Sequence, residues 1–330
     1  MKGKSPNFEE QLLDIRSRLR IKRRDTEFYE TASRLLTLMV SLEKLGDGAD
    51  PELYKHFPVA AIAALEAHFK AVVSKIVDTG PPYLERGLTL AGDRLRSASQ
   101  ILPIVHGNKV SAGELIAHVI PFNSVATIEN ALSSLLGTDF KALVGTVVNE
   151  YDQRSPSRTP QLVVPDVAAL WKELALAFER RHILAHEAAT GYEVTFADAK
   201  LSVQSARQLC DAIQATMWMT IWKDVPLTQS EMNIHAYRQM KQTRIALGRK
   251  LRIAMAIAAS RGERARFRRT HMLWRDYAKG WSPWQAELYA GGTIQPLIRA
   301  TAEERTFSNR LSDVKSWISA MQPEAPPDDD

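Results

Sequence analysis

A chain of 330 residues with 45% hydrophobic and 25% charged residues has ordinary globular composition and room for two domains, which excludes a disordered or collagen-like chain. Its one cysteine, Cys210, excludes a disulfide framework and points to a reducing compartment. The net charge of +5 hides an asymmetry: residues 227–321 carry 17 Lys plus Arg against 7 Asp plus Glu, residues 1–226 carry 26 against 27, and 322–330 hold the other 4 acids.

The opening run, MKGKSPNFEEQLLDIRSRLRIKRR, has no apolar stretch of signal-peptide length. Apolar clusters such as VAAIAAL at 59–65 fall short of a membrane span. The expectation is a cytoplasmic protein with no membrane partner. Apolar spacing of three and four predicts a helix over 26–46, closed by Gly46, and a second over 57–77, stopped by Thr79-Gly80-Pro81-Pro82. Further helices are expected at about 83–104, 111–120, 124–136 and 138–151. A proline-containing polar loop follows at 152–166. Asp166 is placed to cap a helix running to about 187, and a long helix follows over 196–223. Beyond Pro226 come a helical run over 230–280, a turn at Gly291-Gly292, and a last helix around 300–320. No strand alternation stands out, and YEVTF at 192–196 is too isolated to make a sheet. The expected class is all-α, with domains at 1–226 and 227–321 and a disordered acidic tail at 322–330.

The helix at 166–187 carries the chemistry. Its apolar stripe, Trp171, Leu174 and Phe178, continues into Arg181 and His182, then Ala185 and His186. A cation and two imidazoles on an inward face each need a partner or a purpose. Glu66 sits on the apolar face of the 57–77 helix, between Ile62 and Phe69, and would suit Arg181 as partner. Histidine moves protons near neutral pH, and arginine binds anionic oxygens with two donors at once. Residues five apart on a helix point about 140° apart, so a single helix clasps a phosphate poorly. His182 and His186 are spaced i,i+4, but Glu179 and Glu187 complete no recognisable zinc pattern, so neither a metal nor a cofactor is expected. A second Arg-x4-His pair, Arg266 and His271, lies in a basic run with no inward carboxylate helix before it and is set aside.

RHILAH at 181–186 resembles the HEPN motif: Arg, then Asn, Asp or His, then three residues and His. The preceding PVAAIAALEAHF and the long closing helix at 196–223 are similar to that family as well. The resemblance implies a metal-independent endoribonuclease, a toxin or anti-phage effector, with a composite site formed by two copies in a homodimer. It puts Arg181 and His186 in the catalytic roles, His182 in the variable polar slot and Glu66 in support. RNA is then a partner, as is an antitoxin or trigger protein.

In the basic region, TQSEMNIHAYRQM at 228–240, WRDYAKGWS at 274–282 and GGTIQPLIRATAEERTFSNRL at 291–311 resemble the lysozyme-inhibitor LprI-like domain. That family carries cysteines where this chain has His235, Ser282 and Ala302. The resemblance therefore implies a cytoplasmic copy held by packing of Trp274, Tyr277, Trp281 and Trp284, and its lysozyme-inhibiting role does not follow. The charge surplus points to an anionic partner, with Arg264, Arg266, Arg268 and Arg269 as RNA contacts. The rival reading is a catalytically silent HEPN-like dimer whose second domain recognises a lysozyme-like protein.

Overall fold

The computed structural model describes residues 27–95, 110–154, 159–187 and 191–321. The expected tail at 322–330 and the end of the helix expected to reach 104 lie outside them. The chain is all-α, and the described residues contain no strand, only an isolated bridge between Val148 and Leu162. It divides into two compact units between Lys223 and Asp224, just ahead of the boundary expected at Pro226.

In the first unit, α1 (Glu27–Leu45) ends at Gly46, and a single turn, α2 (Pro51–Tyr54), leads into α3 (His56–Asp78). Fourteen of the 23 residues of α3 are buried, among them Phe57, Ile62, Leu65, Phe69, Val72, Val73 and Ile76. Around it lie α4 (Tyr83–Ala91), a 3-10 turn at Gly92–Arg94, α5 (Ala112–Val119) and α6 (Val125–Leu136). The short helices α7 (Phe140–Val144) and α8 (Glu150–Gln153) follow, then α9 (Val167–His186) and α10 (Phe196–Met219). Helix α3 packs against α1, α5, α9 and α10, and so is the hub. The stretch Pro51–Asp78 is long and apolar enough to cross a membrane, with an 18-residue window of mean hydropathy 1.4, which the shorter clusters did not suggest. Two thirds of its most apolar window is buried inside the protein, as a core helix requires.

The helix starts follow local chemistry. Asp166 caps α9 by accepting the Ala169 N–H at 2.9 Å. Thr195 and Asp198 form a reciprocal capping box on α10, and Ser111 with Glu114 does the same on α5. The single helix expected over 138–151 is instead α7 and α8. Gly145 ends α7, and the β-branched run Thr146-Val147-Val148 extends, buries Val147 and pairs with the 162–163 backbone. Cys210 is fully buried on α10, where desolvation, reinforced by Asp211, pushes its thiol well above the ordinary value.

The second unit comprises α11 (Gln229–Ser260), α12 (Arg264–Glu287) and α13 (Gln295–Met321). The expected continuous run over 230–280 breaks at Gly262, whose φ of +74° lies in the left-handed region that glycine enters freely. Helices α11 and α13 pack along their lengths, joined by Asn233 Nδ2 donating to the Thr293 carbonyl and Thr243 Oγ1 donating to Glu304. Leu247, Ala254 and Val314 centre its core, with Phe267, Trp274, Phe307 and Trp317 packed on them. The aromatic packing expected to hold this unit divides in two. Trp274 lies in the core beside Phe307, whereas Tyr277, Trp281 and Trp284 stack on one another, with Tyr277 and Trp284 exposed.

One contact tests the hub. Asp78, at the end of α3, accepts the Gly113 N–H at 2.9 Å and the Ser111 hydroxyl at 2.6 Å, which draws the start of α5 against the α3 backbone. A Cβ at position 113 would lie 2.8 Å from the Ser74 Cα. Backbone cannot yield as a side chain can, so Gly113→Ala should destabilise the protein by about 1–3 kcal/mol in urea titration, the usual cost of overpacking.

Candidate functional site

Helix α9 leaves the core part way along. Leu170, Trp171, Leu174, Ala177 and Phe178 are buried, Arg181 is half-buried, and His182, Ala185 and His186 are exposed. The motif therefore does not continue an inward stripe to its end, as the spacing implied. The histidine side of the last turn faces solvent, where imidazoles need no buried partner, while Leu184 stays packed against the core.

Arg181 is where the interior and the exposed turn meet. Its guanidinium lies 3.5 Å from a Glu66 carboxylate oxygen on α3, with the two side chains 30% and 27% exposed. Its Nη1 lies 3.3 Å from His186 Nε2. Arginine only donates, so His186 Nε2 is the acceptor in this contact and holds a lone pair toward the guanidinium. The 140° expected between positions 181 and 186 is bridged by the length of the arginine side chain, so one helix does bring both groups together. His182 stands beside His186, ring centroids 5.1 Å apart. All four residues proposed from sequence thus lie at one place, in the order Glu66, Arg181, His186, His182. Their side chains are all at least partly exposed to solvent.

Arg180, which sequence reasoning passed over, is the more buried of the two adjacent arginines, with its side chain 11% exposed. It turns the other way, to Asp198 and Ser202 on α10, at 2.5 and 3.3 Å. Burial raises the Asp198 carboxyl, but hydrogen bonds from the Thr195 side chain and backbone, with the charge and hydrogen bond of Arg180, outweigh it and hold the group below its ordinary range. The signal lay in the Thr195-x-x-Asp198 capping box, which places a fixed carboxylate opposite α9. Consecutive arginines thus clamp α9 to α10 through 180 and to α3 through 181. His68 on α3, also buried, is held by a 3.0 Å contact between its Nδ1 and the Thr31 hydroxyl.

The second Arg-x4-His pair is a different object. His271 stacks on Trp274 at 5.2 Å with its Nδ1 buried and unpartnered, and burial, then Arg310 and Arg275, lowers its basicity. Arg266 is exposed. Arg264, Arg268 and Arg269 are exposed as well. At 100° per residue 264 and 268 share one side of α12 and 266 and 269 another, so the four make no single cationic face. Among the described residues no group of three or more His, Cys, Asp or Glu is placed to hold a metal ion.

No family model, curated protein or solved structure matches this chain significantly.

The Arg180–Asp198 pair makes stability depend on pH in a known direction. A carboxyl whose folded value lies below its unfolded 3.8 stabilises the fold above the unfolded value and loses that contribution as pH falls through the folded one. Asp198→Asn should lower the unfolding midpoint at pH 7, and the gap from wild type should narrow in melts taken well below pH 3.8, as the wild-type carboxyl takes up its proton. A gap of equal size at both pH values would contradict this.

Proposed function

We propose that the protein is a metal-independent endoribonuclease of the HEPN type, cutting RNA at Arg181 and His186, and acting as a toxin or anti-phage effector. The observation that carries this reading is the half-exposed chain Glu66, Arg181, His186, in which a carboxylate fixes a guanidinium that in turn touches an imidazole nitrogen. An incoming phosphate draws the Arg181 guanidinium off His186 Nε2, whose freed lone pair takes the proton of a ribose 2′-hydroxyl, and the 2′-oxygen attacks the adjacent phosphorus. Arg181 neutralises the charge that grows on the non-bridging oxygens. The bond to the 5′-oxygen breaks, and an imidazolium returns a proton to that leaving oxygen, which gives a 2′,3′-cyclic phosphate and a 5′-hydroxyl. One imidazole serves the acid and the base step poorly at once, and two copies of α9 meeting in a homodimer supply a second. Glu66 touches no reacting atom in this scheme; it is a positioning residue for Arg181. The segment 227–321, with its 17 cations against 7 acids, recruits the RNA.

A silent protein would use the same residues as a helix–helix clamp, and magnitudes separate the two. A partly exposed ion pair contributes about 0–1 kcal/mol to stability, whereas loss of an acid–base group lowers rate about 10²–10⁴-fold. Arg181→Ala and His186→Ala should each abolish cleavage of total RNA in EDTA, together with growth inhibition on overexpression, and shift the unfolding free energy by only about 1 kcal/mol. Glu66→Gln should reduce cleavage less. Wild-type protein that yields no fragments with 2′,3′-cyclic phosphate ends would establish the silent reading.

The composite site carries its own expectation. Light scattering at micromolar concentration should report a dimer, and a monomer of full activity would contradict the two-copy arrangement.

A further inference from the structure

One stripe of α12 has a composition that neither the core nor the cleavage site uses. Positions 266, 269, 270, 273, 277, 281, 284 and 288 recur at three and four and share one side of the helix. The first part is cationic, with Arg266 and Arg269. The second is an apolar ladder: Leu273, Tyr277, Trp281, Trp284 and, just past the helix end, Leu288. Leu273, Tyr277, Trp284 and Leu288 are 67%, 55%, 58% and 83% exposed, which is unusual for side chains of this size. The three rings run nearly parallel, Tyr277 to Trp281 at 5.8 Å and 20° and Trp281 to Trp284 at 5.3 Å and 28°. At its cationic end the stripe opens into a cleft of about 510 Å³, where Arg266 and Thr270 face Arg261, Arg310 and the Trp317 ring; Glu263 lies 3.8 Å from Arg261 and Asp313 3.9 Å from Arg310, which leaves Arg266 as the cation there without a carboxylate beside it. The Nε of Arg310 is buried there without a hydrogen-bond partner.

We infer that this stripe is a binding platform for single-stranded RNA, with phosphates held by Arg266 and Arg269 and bases stacked on the Tyr277–Trp281–Trp284 ladder. Aromatic rings take any base face without sequence preference, while guanidiniums bind the backbone. From Arg266 to Trp284 is about 27 Å, long enough for roughly eight stacked nucleotides. Asp276 and Glu287 are the acids of α12 and lie in the aromatic half. They repel phosphate there but not an uncharged base, so the stripe sorts backbone from bases along its length. A second copy is disfavoured by the like charge of residues 227–321, 17 cations against 7 acids, and an anionic bilayer by the two carboxylates beside the rings. The choice of RNA among single-stranded polyanions rests on the ribonuclease reading above.

The test uses the full chain carrying His186→Ala, so that the probe survives, and a fluorescein-labelled ten-nucleotide oligouridylate read by anisotropy over a salt series. Tyr277→Ala with Trp284→Ala should raise the dissociation constant at least tenfold and leave the salt slope unchanged. Arg266→Gln with Arg269→Gln should instead flatten the slope by about 1.4, the value for two phosphate contacts on a single strand. Trp284→Tyr keeps a ring and should restore most of the binding, which separates stacking from loss of fold. Ring-dependent binding by a protein that never cleaves supports the platform and removes only the ribonuclease reading. Affinity and slope unmoved by both double variants overturn the platform, even where cleavage persists. So does ring-dependent capture of polyglutamate or anionic vesicles with RNA binding unaffected.

Discussion

Helix α3 is the constraint on which the first unit depends. It is buried on most of its circumference, yet one position on its apolar face is a carboxylate. Each large apolar side chain it buries contributes about 1.5–3 kcal/mol, so its contacts with α1, α5, α9 and α10 outweigh any single polar pair around it. The packing decides where α9 crosses, and the crossing brings Arg181 to Glu66. The ion pair follows from the fold rather than causing it, since a pair about 30% exposed adds little stability. What the pair does set is direction. A guanidinium held from below by Glu66 has its remaining donors turned outward, to His186 and to whatever anion reaches it.

The two arginines at 180 and 181 show how adjacent, chemically identical residues take different work. A helix turns 100° per residue, so Arg180 is carried to α10 and Arg181 to α3. The first meets a carboxylate already fixed by a capping box and becomes structural. The second meets a carboxylate with no other hydrogen bond to it in view and stays partly in water. Burial ranks them opposite to function on the reading advanced here, because a catalytic cation must remain accessible.

Much of this was legible in the sequence. The all-α class, the cap at Asp166, the stop after 78, and the meeting of Glu66 with Arg181 follow from spacing and from the cost of burying charge. Three features were not. The break at Gly262 hides within an amphipathic run whose apolar period continues on both sides, so only the glycine marks it. The extended piece at 146–148 depends on its pairing with 162–163, a contact no local window contains. The exposure of His182 and His186 depends on where the neighbouring helices end relative to α9, and a helical period says which side a residue takes but not how far along that side the core extends.

The same limitation explains why the aromatic residues of the second unit were read as a single packing cluster. Trp274 and Trp281 are seven apart and nearly share a helical side, and pattern alone gives both to the core. The residues facing them decide otherwise. Opposite Trp274 stand Phe307 and Arg310, large enough to enclose it, whereas Ala278, Ser282 and Ala286, the buried positions of the lower α12, are small. Small buried residues let helix backbones approach closely, and a close approach leaves no interior volume for an indole. Trp281 and Trp284 are therefore displaced to the flank, where they stack on Tyr277 rather than on the core. An exposed aromatic ladder is in this sense the complement of an alanine-lined seam, and the cations that head the same stripe give it a partner chemistry that the core does not require.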